Sequence, residues 1–346
     1  MTTSHAPSPP LALTMGDPAG IGIEITLKAW ADRIAHGLVP FVVLADANLV
    51  AARIAARGLN IPIVRIEKFA QAPGRFATQL PILHVPCAVP VIPGKPDSRN
   101  GPATIQAIDL AVAAIVRGEA SAVVTNPIAK HVLHDAGFRH PGHTEYLAHL
   151  AAAHHPGHSY TPVMMLAADE PTLRVVPMTI HEPLAKVPGM ITAALIIETT
   201  RITHRALVEQ FGIARPRIAI AGLNPHAGEN GSIGTEDRDI IGPAIATLRA
   251  EGLAITGPHA ADTLFHAPAR ATYDAVICMY HDQALIPIKT LAFDTGVNLT
   301  LGLPFVRTSP DHGTAFDIAG RGTASATSLI AALKMATRLG ARAQKV

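Results

Sequence analysis

Short apolar runs alternate with longer amphipathic patterns along most of the chain, and this alternation limits the fold more than any other feature. Strands are predicted at 11–15, 41–45, 61–66, 122–125, 163–166, 173–180, 217–223 and 275–279. Helices are predicted near 24–36, 104–117, 145–154, 191–211, 237–250 and 324–339. Apolar strands separated by amphipathic helices are typical of parallel sheets with both faces covered. The sequence therefore predicts an α/β fold.

The length and composition indicate a two-domain globular protein. A chain of 346 residues is too long for one compact core. Hydrophobic residues make up 49% and aromatic residues only 4%, so Val, Ile, Leu and Ala must fill the interior. The net charge is +2 and the basic residues occur singly. Nucleic acid or an acidic membrane surface would need a concentrated basic patch, so neither partner is expected.

The cysteines and the N-terminal segment bear on the expected compartment. Cys87 and Cys278 lie in apolar, strand-like runs. One disulfide between them is an open alternative, but buried free thiols in a reducing compartment are favoured. The first residues, MTTSHAPSPP, lack the basic and apolar regions of a signal peptide, and no apolar stretch approaches membrane-spanning length. A soluble, cytoplasmic protein is expected.

Polar residues follow five of the predicted strands directly. The segments are GDPAGIG after the first strand, NPIAK after 122–125, His181-Glu-Pro, NPHAGE containing His226, and YHDQ containing His281. In parallel α/β sheets ligands bind outside the carboxyl ends of the strands, because the loops converge there. These five strand ends therefore indicate a ligand site.

Three of the eighteen histidines, His181, His226 and His281, share this placement. Imidazoles converging from three loops would hold a divalent ion and leave a coordination position open for a substrate. A single histidine is more often a buried, hydrogen-bonded residue, and the spacing lacks the specificity of His-Glu-x-x-His. The common placement of all three favours a metal site.

The glycine-rich turn GDPAGIG suggests a dinucleotide loop, with Asp46 at the end of the second strand as the acidic partner. Its spacing matches neither G-x-G-x-x-G nor the P-loop pattern. A tight turn at a helix entry explains the glycines as well as ligand contact does. Both interpretations stay open for this motif.

Anion ligands are predicted at two places. The segment 142–145 opens a helix, where Thr144 is a suitable N-cap and free backbone N–H groups attract anions. Lys289, Asn298 and Arg307 interrupt an otherwise apolar run. Arginine binds phosphate or carboxylate through two parallel hydrogen bonds, and lysine contributes a point charge.

An ordered set of motifs resembles the 4-hydroxythreonine-4-phosphate dehydrogenase family from about residue 11 to residue 339. The motifs are GDPAGIG, TNPIAK, PGHTEYLA, LNPHAGENGSIGTE, GPHAADTLF, YHDQALIPIK and GVNLTLGLPFVRTSPDHGTAFDIAG. The resemblance implies that His181, His226 and His281 are metal ligands, with His281 serving the neighbouring subunit of a homodimer. It also implies that His143, Thr144, Lys289, Asn298 and Arg307 bind substrate.

A second, more distant resemblance concerns the cofactor. The segment His312-Gly313-Thr314-Ala-Phe-Asp317-Ile-Ala-Gly is similar to the HGSAPDIAG loop of isopropylmalate dehydrogenases, which cradles the adenosine half of NAD. Asp317 would meet the adenine ribose hydroxyls. The chain departs from that family downstream, where residues 324–326 read Ala-Ser-Ala instead of Ala-Asn-Pro. NAD or NADP is the implied cofactor.

The implied fold is the two-domain α/β/α architecture of the isocitrate/isopropylmalate dehydrogenase type, with its active site in the interdomain cleft. We expect residues 1–138 and 293–346 to form the first domain, on the side of the cofactor loop. Residues 139–292 would form the second, with the metal ligands and the dimer interface.

The resemblance implies metal-dependent oxidation of 4-phosphooxy-threonine followed by decarboxylation, in pyridoxine 5'-phosphate biosynthesis. One divalent ion per subunit (zinc, magnesium or cobalt) would assist, and Lys289 or Asp262 would be the general base. Three alternatives stay open: a dehydrogenase for erythronate or threonate 4-phosphate, a phosphate acyltransferase of related fold, and a non-catalytic metal-binding protein.

Overall fold

Twelve strands and thirteen α-helices make up the computed structural model, which describes residues 8–343. The strands are β1 Leu11–Thr14, β2 Phe41–Ala45, β3 Ile63–Ile66, β4 Leu80–His84, β5 Val123–Thr125, β6 Val163–Asp169, β7 Thr172–Pro177, β8 Arg217–Ala221, β9 Ala254–His259, β10 Ala275–Cys278, β11 Val297–Leu301 and β12 Arg307–Pro310. The helices are α1 Gly22–Ala31, α2 Arg33–His36, α3 Ala47–Ala56, α4 Pro73–Phe76, α5 Gly101–Val116, α6 Lys130–Asp135, α7 His143–His154, α8 Val187–Met190, α9 Ala193–Glu209, α10 Gly242–Ala250, α11 Ala267–Arg270, α12 His281–Ala292 and α13 Thr327–Ala343. The predicted α/β class is confirmed.

Residue contacts divide the described chain into two units. Unit 1 comprises the residues up to 161 together with those from 303 onward, and unit 2 is Pro162–Gly302. The division differs from the expected boundaries in two places. Helix α7 belongs to unit 1, because it packs on α5 and Tyr146 donates a hydrogen bond to Asp109 at 2.5 Å. Residues 297–301 belong to unit 2, because β11 pairs with β6.

The sheet of unit 1 is parallel throughout, in the order β3-β4-β2-β1-β5-β12. Strands β1 and β2 are buried along their whole length, as expected for a sheet covered on both faces. Helix α5 buries Ile108 and Val112 in a cluster with Leu147 of α7 and with Phe305. Aliphatic side chains thus fill most of this core, as the low aromatic content requires.

The sheet of unit 2 is mixed, in the order β11-β6-β7-β10-β8-β9. Strands β7, β10, β8 and β9 run parallel, whereas β6 is antiparallel to both β7 and β11. The expectation of purely parallel sheets is therefore wrong for β6 and β11. Only Glu170 and Pro171 separate β6 from β7, and a parallel crossover needs a dozen residues or more.

Hydrogen bonds from side chains fix the starts of two helices. Asp46 accepts from the backbone N–H groups of Asn48 and Leu49 and so caps α3, and its second carboxylate oxygen accepts from the N–H of Cys87. Thr192 caps α9 by accepting from Leu195. Both carboxylate oxygens of Asp46 therefore accept hydrogen bonds within unit 1, and its role in this structure is to stabilise the fold rather than to bind a ligand. Among the described residues, none of the helices has both the length and the apolar character needed to cross a membrane.

Candidate active site

The three candidate metal ligands follow three neighbouring parallel strands of unit 2. The strand order at this point is β7-β10-β8. His181 lies beyond the end of β7, His281 opens α12 just after β10, and His226 lies beyond the end of β8. Because the carboxyl ends of parallel strands lie along one sheet edge, all three histidines belong to the same edge of unit 2.

Hydrogen bonds tie these three strand ends together. The hydroxyl of Thr179, beyond β7, donates to the carbonyl of Met279, beyond β10, at 3.0 Å. The Gln283 side chain accepts from the N–H of Met279 at 2.7 Å and donates to the carbonyl of Gly222, beyond β8, at 2.9 Å. The backbone that carries the histidines is thereby fixed on both sides of β10.

His181 and His281 line one cavity of about 480 Å³ in unit 2, and their ring centroids are 5.7 Å apart. Nδ1 of His281 lies 2.7 Å from Oδ1 of Asp282. A carboxylate on one ring nitrogen directs the other nitrogen, Nε2, toward a ligand, which is the usual arrangement around metal-bound histidine.

His226 lies in a strained turn, Pro225–Gly231, and is itself exposed. It has φ 52°, and the next four residues also have positive φ, although only Gly228 among them is a glycine. The buried carboxylate of Asp237 supports the turn by accepting from the N–H groups of Leu223 at 2.8 Å and Asn224 at 3.1 Å. Left-handed backbone at residues with a Cβ is costly and is concentrated at functional sites.

The donor groups at this sheet edge are of the types that bind divalent transition-metal ions. Imidazole nitrogens suit zinc, cobalt and related ions, and the pair formed by His281 and Asp282 has the expected supporting carboxylate. Within residues 8–343, no three His, Cys, Asp or Glu side chains are already arranged around one point as metal ligands. The described chain thus brings His181 and His281 together, and the donor chemistry fits the ion. The complete ligand set stays a prediction.

Arg307 is the most deeply buried cation among the predicted site residues, with 5% of its surface exposed. Its Nε and Nη2 both donate to the hydroxyl of Thr125, at 3.2 and 2.7 Å. Burial lowers the pKa of Arg307 to about 10, which still leaves the guanidinium charged at neutral pH. Thr125 ends β5, so the guanidinium of Arg307 is fixed at the carboxyl end of the strand next to its own.

His143 begins α7 and shares the electrostatic environment of Arg307. Burial, followed by the positive charges of Arg307 and Lys130, holds the pKa of His143 well below its usual value, so the ring is neutral at pH 7. Its Nε2 is buried, and no described residue forms a hydrogen bond with it. An anion bound between these cations would therefore find an available ring nitrogen close to the start of a 12-residue helix.

The predicted N-cap at Thr144 is wrong, because α7 begins at His143, two residues earlier than that cap implies. Gly142 is the N-cap, and no side chain caps the first turn. A Cβ on Gly142 would lie 3.2 Å from Cε and 3.5 Å from Nζ of Lys130. The glycine thus lets the Lys130 ammonium approach the first turn of α7, a role that the sequence alone did not assign.

The remaining predicted substrate and base residues lie in unit 2. Lys289 is on α12, with its ammonium 5.2 Å from the ring centroid of Phe293. Asn298 is half-buried on β11. Asp262 is exposed in the short turn Ala261–Thr263 that follows β9. All three are placed in the same unit as the three histidines.

The predicted cofactor segment lies in unit 1 between β12 and α13. His312, Gly313 and Asp317 are exposed, and Thr314 is half-buried. The Thr314 carbonyl accepts from the N–H of Ile21 at 3.1 Å. The segment is therefore docked through its backbone, while its polar side chains stay accessible.

Sequence reasoning missed several supporting residues, namely Thr125, Lys130, Asp237, Asp282 and Gln283. Each lies within or just after one of the motifs that mark the strand ends, such as TNPIAK and YHDQ. Their position in these motifs could have identified them as candidate site residues from the sequence. The partners of Thr125 and Gln283 could not have been identified in this way, because Arg307 and Gly222 are distant in the sequence and are brought close only by the sheet.

Comparison with known proteins places the chain among enzymes of one pathway. Residues 38–336 match the protein family described as "Pyridoxal phosphate biosynthetic protein PdxA". The 4-hydroxythreonine-4-phosphate dehydrogenase of Methylorubrum populi is 55% identical over 335 residues, covering 96% of this chain and 95% of that protein. The enzyme of the same name from Bradyrhizobium diazoefficiens is 52% identical, covering 98% and 99%. The crystal structure of 4-hydroxythreonine-4-phosphate dehydrogenase from Klebsiella pneumoniae superposes with a TM-score of 0.86 at 38% identity, covering 96% of this chain and 100% of that one.

Proposed function

The chain belongs to the pyridoxal phosphate biosynthetic protein PdxA family, and from this premise we propose that it oxidises 4-phosphooxy-threonine with NAD or NADP. The hydrogen on carbon 3 leaves as hydride to the nicotinamide, and the hydroxyl on that carbon loses a proton. The resulting β-keto acid loses carbon dioxide and gives 3-amino-2-oxopropyl phosphate. The enolate left when carbon dioxide departs takes up a proton at carbon 2, and one reduced nicotinamide is formed for each turnover.

The observation that carries this proposal is the placement of His181, His226 and His281 after three adjacent parallel strands. A divalent ion (zinc, magnesium or cobalt) held by these imidazoles would lower the pKa of the substrate hydroxyl and stabilise the enolate left when carbon dioxide departs. Lys289 or Asp262 would accept the hydroxyl proton.

The anionic groups of the substrate would be bound by His143, Thr144, Lys289, Asn298 and Arg307. The strongest support comes from Arg307, because its fixed and buried guanidinium matches the geometry of two phosphate oxygens. The neutral His143 ring supplies a further hydrogen-bonding nitrogen without adding a third charge beside Arg307 and Lys130.

His312, Gly313, Thr314 and Asp317 would contact the adenosine half of the cofactor. Backbone docking of this segment and exposure of its polar side chains support that role. An exposed carboxylate at Asp317 suits the two ribose hydroxyls of NAD, since carboxylates accept hydrogen bonds from vicinal hydroxyls in other dinucleotide sites.

The alternatives from other functional classes are less well supported. A phosphate acyltransferase needs neither the three strand-end histidines nor a segment for the adenosine half of NAD, and a non-catalytic metal protein does not explain the buried Arg307. Relatives that span 95% or more of the chain are named as dehydrogenases. Threonate and erythronate 4-phosphates would use the same anion and metal ligands, so the choice of substrate calls for a direct test.

The direct test is formation of reduced nicotinamide by the purified, metal-loaded enzyme. With 4-phosphooxy-threonine we expect kcat/KM at least about tenfold higher than with threonate 4-phosphate or erythronate 4-phosphate, since a matched polar contact contributes about 1.4 kcal/mol or more. Carbon dioxide should be released in equal amount. A preference for either hydroxy-acid phosphate would reassign the substrate, and no reduced nicotinamide with any of the three would refute the dehydrogenase.

Subunit mixing tests the proposed homodimer and the sharing of His281. The variants His181→Ala and His281→Ala should each be inactive alone. If His281 serves the partner's metal, a mixed dimer contains one site with both defects and one intact site. Random 1:1 exchange then restores about a quarter of wild-type activity, because half of the dimers are mixed and each has one intact site.

The 5.7 Å separation of the His181 and His281 rings within one chain makes the opposite outcome informative. If both imidazoles bind the metal of their own subunit, each site of the mixed dimer carries one defect and no activity returns. Exchange is verified by mass spectrometry of differently tagged subunits. Mixing His181→Ala with a tagged copy of itself is the control for recovery caused by the procedure.

A further inference from the structure

The glycine-rich turn 16–22, whose role the sequence left open, packs against the segment 312–320 of the same unit. The N–H of Ile21 donates to the carbonyl of Thr314 at 3.1 Å. A Cβ placed on Gly20 would lie 3.0 Å from that carbonyl oxygen and 3.2 Å from the Thr314 Cβ. Any side chain at position 20 therefore presses on the backbone of the segment 312–320.

A second glycine supports the same segment two residues further along. The N–H of Gly94 donates to the carbonyl of Ala19 at 2.8 Å, which ties it to the turn 16–22. Gly94 has φ +75°, and a Cβ there would lie 2.5 Å from the carbonyl oxygen of Phe316. That distance is too short for real Cβ atoms, so the backbone at 316 rests directly on a position that must be glycine.

Between these two supports the backbone is strained. Ala315 has φ 45°, in the left-handed region that residues with a Cβ rarely adopt. Such a conformation persists only where the surroundings determine it. Glu24 adds a third attachment by accepting from the N–H of Gly320 at 3.1 Å. The segment is thus held at Thr314, Phe316 and Gly320.

Other positions of the segment are open to solvent. A Cβ on Gly313 would meet nothing within 4 Å, and Asp317 is exposed. A ligand approaching the segment from solvent would therefore contact Gly313 and Asp317. The positions of these two residues depend on the packing of the segment against Gly20 and Gly94.

We propose that Gly20 and Gly94 are positioning residues for the nicotinamide cofactor, acting through the segment 312–320 without touching the cofactor. This inference rests on the proposed function, which assigns residues 312–317 to the adenosine half of NAD. A methyl group at position 20 or 94 displaces the carbonyls at 314 and 316 and, with them, the Asp317 carboxylate. Hydrogen bonds weaken steeply with small displacements, so cofactor affinity falls.

The test uses two matched pairs of alanine variants in the full-length enzyme. Gly20→Ala is paired with Gly74→Ala, because neither glycine has positive φ and a Cβ on Gly74 meets nothing within 4 Å. Gly94→Ala is paired with Gly118→Ala, because their φ values are +75° and +69° and the space around Gly118 is open. Each pair distinguishes a steric effect on the segment 312–320 from the general effect of replacing a glycine.

We expect Gly20→Ala and Gly94→Ala to raise the Kd and KM for NAD about 10-fold to 100-fold, with little change in the KM for the phosphorylated substrate. Gly74→Ala and Gly118→Ala should bind NAD like the wild type. Without cofactor, backbone amides at 312–320 should exchange with deuterium faster in the first member of each pair. If Gly94→Ala does not fold, Gly20→Ala is sufficient for the test, since position 20 does not have a positive φ and alanine can adopt its backbone conformation.

Asp317→Ala separates failure of this inference from failure of the proposed function. If Asp317→Ala leaves the NAD Kd unchanged, the assignment of residues 312–317 to the cofactor is wrong. If Asp317→Ala weakens NAD binding but Gly20→Ala binds NAD as tightly as Gly74→Ala, the positioning role is overturned. Equal increases in the KM for NAD and for substrate would also overturn it, because they indicate general destabilisation.

Discussion

Replacing His181, His226 or His281 with Ala, one at a time, is expected to remove the bound metal and lower kcat/KM more than about 100-fold. A loss of this size is expected because replacing residues that only support a metal ligand already lowers metal affinity or activity 10-fold to 100-fold. Metal content is measured by atomic emission after dialysis, and affinity by calorimetry with zinc or cobalt. These readouts report on the site even when no turnover is detectable.

The matched control is His36→Ala, an exposed histidine at the end of α2 in unit 1. It should keep its metal and its activity. Thermal unfolding without metal separates loss of the ion from loss of the fold, and the exposed His181 and His226 should contribute little to the stability of the apo protein. If all three single variants keep both metal and turnover, these histidines do not form the site.

Strand-end placement could be predicted from the sequence because it depends on local patterns. Strands β1, β2 and β10 are apolar and bounded by turn residues, so they were located within one residue of their observed bounds. The polar residues after them then followed directly in the chain. The order β7-β10-β8 could not be read locally, because β8 lies next to β10 through pairing across more than fifty residues.

Other elements were missed for identifiable physical reasons. Helix α12 contains Pro287, which lacks a backbone N–H and normally ends a helix, so the apolar run around Lys289 did not indicate one. Strand β12 has the polar sequence RTSP and is buried because it pairs with β5 and is covered by α13, where the Thr308 hydroxyl donates to the carbonyl of Ala332. In both cases tertiary packing overrides the local preference.

The candidate site, too, could be predicted only in part from the sequence. The histidines and Arg307 were predicted as site residues from residue type and position, whereas the contacts of the Thr125 hydroxyl and the Asp282 carboxylate depend on side-chain geometry. The left-handed turn at His226 is a further case. Its sequence, PHAGENG, contains only two glycines, and the buried Asp237 ten or more residues away supports the backbone that precedes the turn.

Arg307→Lys is expected to lower kcat/KM by about 30-fold to 150-fold, equivalent to about 2–3 kcal/mol of transition-state stabilisation. Lysine keeps the charge but loses the planar fork that matches two phosphate oxygens. It also loses the pair of hydrogen bonds that orients the side chain on Thr125. The loss should appear chiefly as a higher KM for the phosphorylated substrate, with metal content unchanged.

A buried arginine also packs, so the experiment must separate phosphate recognition from stability. Arg201→Lys is the matched control, because Arg201 is exposed and pairs with Glu251 on the surface of unit 2. Non-phosphorylated 4-hydroxythreonine supplies the second comparison. If Arg307 grips the phosphate, wild type and Arg307→Lys should turn over this poor substrate at nearly equal rates, since the interaction is absent from both. A uniform loss with both substrates, together with a lower melting temperature, would instead make Arg307 a structural residue. The ratio between the two substrates therefore decides the role of the guanidinium even if the variant is less stable.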